Sequence, residues 1–186
     1  MAAIKLLLGI VCAVIIGSGS MPKRNMLRKL PVGRSDIKLE KRLQLVTLAA
    51  QELGVREATG NNDGPRVEQY LAAVALKKGQ PWCAAFVCWL YGKAGYSKPL
   101  TGWSPALFPS PRLTKSVLPG NVLGIYISKA KRIAHVGLIE KLQGEWCLSI
   151  EGNTNLSGSR EGDGVYRKRR HLKTIYQVAD WVSDEP

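Results

Sequence analysis

The sequence is poor in the residues that build metal centres and disulfide frameworks. It has two histidines, His135 and His171, and four cysteines, Cys12, Cys83, Cys88 and Cys147, with no C-x-x-C pair among them. A disulfide-rich secreted scaffold needs an even set of regularly spaced cysteines. Here Cys12 lies in a segment subject to removal, and Cys83 and Cys88 stand on one expected helix, where their spacing turns them to different faces. A zinc site would have to draw on Cys83, Cys147 and both histidines without any paired-ligand spacing. No metal and no organic cofactor is expected. Acids are scarce as well, with 14 Asp and Glu against 27 Lys and Arg, a formal charge of +13. That excess favours polyanionic partners: nucleic acid, an anionic membrane surface or an anionic wall polymer. The basic residues are scattered rather than interleaved with exposed aromatics, and no nucleic-acid motif occurs, so specific nucleic-acid binding is not expected.

Long apolar runs are also missing. The one candidate, Leu6 to Ile16, is preceded by Lys5 and closed by Gly17, Ser18, Gly19 and Ser20. It is short of the roughly 20 apolar residues that span a bilayer and reads as an export signal. Lys23, Arg24, Arg28 and Lys29 follow it, a charge bias that runs against simple translocation. Residues 1–20 are therefore expected to be a signal peptide or an uncleaved membrane anchor, with a start at Met21 as the third alternative. Residues 21–34 form a basic linker. Export to the periplasm or the outside follows for the remainder, residues 35–186, which suffice for one domain with one core; a monomer is expected.

Within that domain a helix is expected from Ser35, capped by Ser35 or Asp36, with Ile37, Leu39, Leu43, Val46, Leu48, Ala50 and Leu53 as apolar positions and Gly54 as the stop. Residues 59–65 are loop by composition. A second helix is expected from about Arg66 to Lys78, and a third, apolar nearly all round and so buried, from Trp82 to about Ala94. Residues 95–120 carry five prolines and read as loop. After Gly120, β-branched or alternating runs at 121–128, 134–141, 145–151, 164–170 and 175–182 predict strands. Helices first and an antiparallel meander after them make an α+β domain.

Three positions draw attention as chemistry. Cys83 follows Gly79-Gln80-Pro81-Trp82 and opens the buried helix. A thiol there feels the positive end of the dipole and unpaired N–H donors, both of which favour the reactive thiolate; a buried cysteine that merely packs is the alternative. His135 lies in Ala134-His135-Val136-Gly137-Leu138, where alternation puts His135, Gly137 and Ile139 on one face and Gly137 is expected to leave open space over the imidazole. Glu151-Gly152-Asn153 ends the next strand, where a carboxylate or amide beside the imidazole would fix its orientation; a strand-end acid and a turn asparagine are the alternative. His171, in a basic run, reads as a surface residue. Residues 167–170 read as a solvated strand face or as a hold on anionic polymer. Trp82 and Trp103 are candidate walls of a substrate cleft, and Trp89 is expected in the core.

The blocks Gly79-Gln80-Pro81-Trp82-Cys83-Ala84-Ala85-Phe86-Val87-Cys88-Trp89, Pro119-Gly120-Asn121-Val122, His135-Val136-Gly137 and Glu151-Gly152-Asn153-Thr154-Asn155 resemble, in order and spacing, those of the CHAP amidases, relatives of the NlpC/P60 peptidases. The resemblance covers about residues 36–182. It implies a papain-like fold, Cys83 as nucleophile, His135 as base, Glu151 as orienter and Asn153 as auxiliary polar residue, in a hydrolase of amide bonds in bacterial cell-wall peptidoglycan. Asn121 stands where many relatives have a structural Asp. Asn61, Asn62 and Asp63 offer too few carboxylates for the calcium site of some members and read as a turn or a cleft wall. A wall-binding module that keeps the cleft without the chemistry is the rival class, and intact Cys83, His135 and Glu151 speak against it.

Overall fold

In the computed structural model, residues 33–157 and 162–182 are described. The apolar run, Cys12 and the linker up to residue 32 lie outside them. Helix α1, Arg34–Gln51, starts one turn-position earlier than its expected caps. Gly33 is the N-cap residue, and Asp36 sits at the third helical position, where its carboxylate accepts the Gly33 N–H at 3.2 Å. The buried side of α1 is also not the one expected. Ile37, Leu39 and Leu43 are about half exposed, while Arg42, Leu45 and Ala49 are buried. These three follow the i, i+3, i+7 spacing of one helical face, and the arginine at its centre hides that face from a reading by hydrophobicity.

Arg42 earns its burial through partners. Its Nη1 donates to the Asn121 side chain at 2.6 Å and to the Pro119 carbonyl at 3.0 Å, and its Nη2 pairs with Asp180 at 2.5 Å. One side chain thus ties α1 to the residues before Val122 and after Ala179, which are paired neighbours in the sheet. Asn121, itself fully buried, also donates to the Ser116 carbonyl at 2.9 Å. Its role is structural, as expected of that position.

Helix α2, Pro65–Ala72, buries Val67, Tyr70 and Leu71 as expected but ends well before Lys78. The Leu76 N–H turns back to the Leu71 carbonyl at 2.9 Å, and Ala75 takes the left-handed conformation that closes such a helix end. No glycine marks the stop in the sequence. Glu52, buried just after α1, accepts from Arg66 and from the Tyr70 hydroxyl and clamps α2 to α1. Helix α3, Cys83–Lys93, is buried from Cys83 through Tyr91, and Trp89 belongs to the core.

The strands are β1 (Leu113–Thr114), β2 (Val122–Ile127), β3 (Arg132–Gln143), β4 (Trp146–Thr154), β5 (Gly164–His171) and β6 (Gln177–Ala179). They form one antiparallel sheet in the order β1-β6-β2-β3-β4-β5. The chain is thus α+β, with the expected meander in β2 to β5; β6 returns to the free side of β2. Phe86 and Leu90 of α3 share the main core with Val122, Val136, Leu138 and Ile150. On the opposite face Leu123, Ile139, Cys147 and Val178 make a smaller cluster. No helix among the described residues is long and apolar enough to cross a membrane.

One irregularity positions everything that follows. β3 and β4 pair only from Leu138–Ile150 outward to Gln143–Trp146. Residues 132–137 and 151–154 carry on without ladder pairing to each other, and the start of α3 packs against both strands. Gly152 makes room for it: a Cβ there would lie 2.6 Å from the Trp82 ring and 2.8 Å from Phe86.

If Arg42 is the tie described, Arg42→Met leaves buried acceptors without their donor and lowers unfolding free energy by about 3 kcal/mol. Urea denaturation of both proteins measures this. A change below about 1 kcal/mol contradicts the assignment.

Candidate active site

Cys83 is the first residue of α3 and 5% exposed. No side chain caps this helix end, and the Trp82 carbonyl already accepts the Phe86 N–H at 2.8 Å. The N–H groups of the first turn therefore have no partner within the helix. The sulfur meets three groups: the His135 imidazole, the Ser104 hydroxyl at 3.5 Å and the Val136 backbone N–H. Burial alone raises a thiol's pKa, but His135 foremost, then Ser104 and Val136, hold that of Cys83 below the ordinary 9.0. The other two cysteines among the described residues go the opposite way. Burial pushes Cys88 and Cys147 up to about 11. All three are free thiols.

His135 Nε2 lies 2.7 Å from Glu151 Oε2. That leaves Nδ1 for the sulfur. Burial disfavours the imidazolium, but the hydrogen bonds and charges of Cys83 and Glu151 outweigh it and raise the His135 pKa to about 9. The two shifts run in the directions that favour a thiolate–imidazolium pair.

Glu151 is fully buried and receives four hydrogen bonds. Besides His135, Ser149 Oγ donates to Oε1 at 2.6 Å, and Arg170 donates through Nε to Oε1 at 2.9 Å and through Nη2 to Oε2 at 2.5 Å. Burial would raise its pKa; the Arg170 guanidinium and His135 hold it far below the usual carboxylate range. The space left at Gly137 is filled rather than open. Gly137 is required for another reason: a Cβ there would sit 2.4 Å from Glu151 Cγ, so the missing side chain is where the Glu151 stem passes.

A cavity of about 340 Å³ opens on Cys83 and His135 and is walled by Ile125, Ala134, Asn153, Thr154, Lys168 and Arg170, among others. Asn153 is there but not as a partner of His135. It adopts a positive φ of 52°, and its amide donates to Asn62 Oδ1 at 3.0 Å. The loop 59–65 is thereby tied to the end of β4. Within it Asp63 accepts from the N–H and hydroxyl of Thr59, and Asn62 takes its N–H to Glu57, so these polar groups serve the turn. No cluster suited to a metal ion occurs among the described residues.

Two tryptophan expectations need correction. Trp82 is fully buried, stacked on Tyr70, with its indole N–H on Glu57 at 2.8 Å. A residue so enclosed is core, not cleft wall. Trp103 is 54% exposed and does not itself line the cavity; the Arg132 guanidinium, which does, stacks on its ring at 4.1 Å. The run 167–170 is not uniformly solvated either, since Arg170 belongs to the site. His171 is a partly exposed residue away from the cavity, edge-on to Trp146.

Sequence reading missed Arg170, Ser104 and Ser149. Arg170 had one available signal: Arg170 and Lys168 share a strand face by alternation, and a buried carboxylate needs a cation. Ser104, in a short 3-10 turn, had none.

The packing of Glu151 against Gly137 yields a direct test. Gly137→Ala must move Glu151 away from His135, and misplacing a positioned group by about 1 Å costs on the order of a hundredfold in rate. The alkylation rate of Cys83 at pH 7 reports it, falling as the thiolate loses its imidazolium partner; an unchanged rate contradicts the packing. No protein-family model, no curated protein and no solved structure matches the chain.

Proposed function

We propose that this protein is a cysteine amidase or endopeptidase with a papain-like fold, akin to the CHAP and NlpC/P60 enzymes, that cleaves an amide bond of the peptide stem in bacterial cell-wall peptidoglycan. The observation that carries the reading is the hydrogen-bonded series Cys83, His135, Glu151, with the nucleophile at an uncapped helix start. The wall as substrate rests on the sequence resemblance, and the strongly basic composition suits an anionic polymer.

In this mechanism the Cys83 thiolate attacks the scissile carbonyl carbon. The developing oxyanion is received by first-turn N–H groups of α3, including that of Cys83. The C–N bond breaks as His135 gives its proton to the leaving amine, and a thioester to Cys83 remains. His135, now neutral, takes a proton from water, which attacks the thioester and releases the acid. Glu151 keeps the imidazole in place and favours its protonated form; Arg170 and Ser149 keep Glu151 in place. Asn153 shapes the cavity rather than orienting the base.

Digestion of purified peptidoglycan, with the new chain ends identified by mass, tests the reading. Wild type should release one kind of new end, and Cys83→Ala should lose about three orders of magnitude of that activity. Turnover should rise as Cys83 ionises below its ordinary 9.0 and fall as His135 loses its proton near pH 9. Absence of new ends with wild type, or equal release by Cys83→Ala, contradicts it.

A further inference from the structure

The charges around the cavity do not cancel. In the ion-pair state the Cys83 thiolate and the Glu151 carboxylate are offset by the His135 imidazolium and Arg170. Two further cations line the same cavity, Lys168 and Arg132. Neither has a carboxylate partner among the described residues. Lys168 Nζ donates to the Asn155 carbonyl at 2.6 Å, and Arg132 Nη1 donates to the Ile133 carbonyl at 3.1 Å while its plane rests on Trp103. Both are held by neutral groups and keep donors to spare.

The rest of β5 makes this pair stand out. Arg167, exposed, forms a two-pronged pair with Glu140 at 2.7 and 3.0 Å, and Arg169, exposed, stacks on Trp146 at 4.2 Å. Arg170 is neutralised by Glu151. On this strand Lys168 alone lines the cavity without a carboxylate partner among the described residues. Much of the remaining wall is apolar, from Ile125, Ile127, Ala130 and Ala134. An apolar wall strengthens the attraction of these cations for an anion that enters.

We propose that Lys168 and Arg132 form a carboxylate subsite beside the nucleophile, so that the preferred substrate is an acidic peptide with a free carboxylate on a residue next to the scissile amide. This deepens the reading of Cys83 as acylating nucleophile and rests on it. Lys168 and Arg132 would select and position the acyl donor; neither touches the reacting bond.

The test uses the full chain and two alkylating probes, iodoacetate and iodoacetamide. They share a leaving group and differ in charge. The rate of each at Cys83 is followed by mass, and their ratio is compared with that of the same cysteine in the urea-unfolded chain. The folded wild type should favour iodoacetate about tenfold relative to that reference, a charge effect of ordinary size for a cationic cleft. Lys168→Met and Arg132→Met should each bring the ratio back toward the reference, whereas Arg167→Gln, on the same strand but paired with Glu140, should leave it high. A variant that also labels Cys88 and Cys147 readily has unfolded, and the other then decides. A wild-type ratio at the reference, or an equal drop in Arg167→Gln, overturns the subsite. Because the probes need no wall, the two readings fail separately. Wall cleavage with an unraised ratio removes the subsite and spares the amidase, while a raised ratio without cleavage does the reverse.

Discussion

A carboxylate without any solvent exposure is costly unless cations and donors surround it. Glu151 is such a group, and the site is arranged around satisfying it. Arg170 reaches it from β5, His135 from β3, and Ser149 from its own strand. The demand runs both ways. Glu151 fixes which imidazole nitrogen faces the sulfur and favours the charged ring, and the charged ring in turn favours ionisation of the buried thiol. Removing the carboxylate would leave Arg170 and His135 as two neighbouring cations in a buried place.

The fold supplies this arrangement by failing to complete its sheet. Where β3 and β4 separate, backbone groups of both arms become available to something other than each other, and the Cys83 sulfur meets the Val136 N–H there. Two glycines let side chains occupy the split. Gly152 admits Trp82 and Phe86 from the helix side, and Gly137 admits the Glu151 stem. The absence of two Cβ atoms thus places Cys83, His135 and Glu151 around one opening. The buried Arg42 network holds α1 to the sheet from elsewhere in the domain, and Glu52 holds α2 to α1.

Much of this was legible in the sequence. The β-branched or alternating runs after Gly120 yielded five of the strands, β2 to β6, and the all-apolar stretch after Pro81 yielded α3 with Cys83 at its head. The three central residues could be named because each sits in a local pattern: a helix start, an alternating strand, a strand end. What escaped depends on tertiary partners. Arg42 looks polar and is buried because Asn121, Asp180 and the Pro119 carbonyl await it. Ala75 closes α2 in a conformation that alanine rarely announces. Trp82 follows a proline and precedes Cys83, which suggests a cleft, yet its ring fills the space over Gly152. Arg170 sits in a run of four basic residues of which sequence alone does not say which one meets a carboxylate.

The central claim is that Cys83 and His135 share an ion pair anchored by Glu151. The imidazole nitrogens of His135 report on it directly through their NMR shifts as pH is varied, in wild type and in Cys83→Ala. The account predicts an imidazole still protonated at pH 8 in the wild type, titrating near 9, and losing its proton at lower pH once the thiolate is gone. An imidazole that titrates near its ordinary 6.5 in both proteins contradicts it.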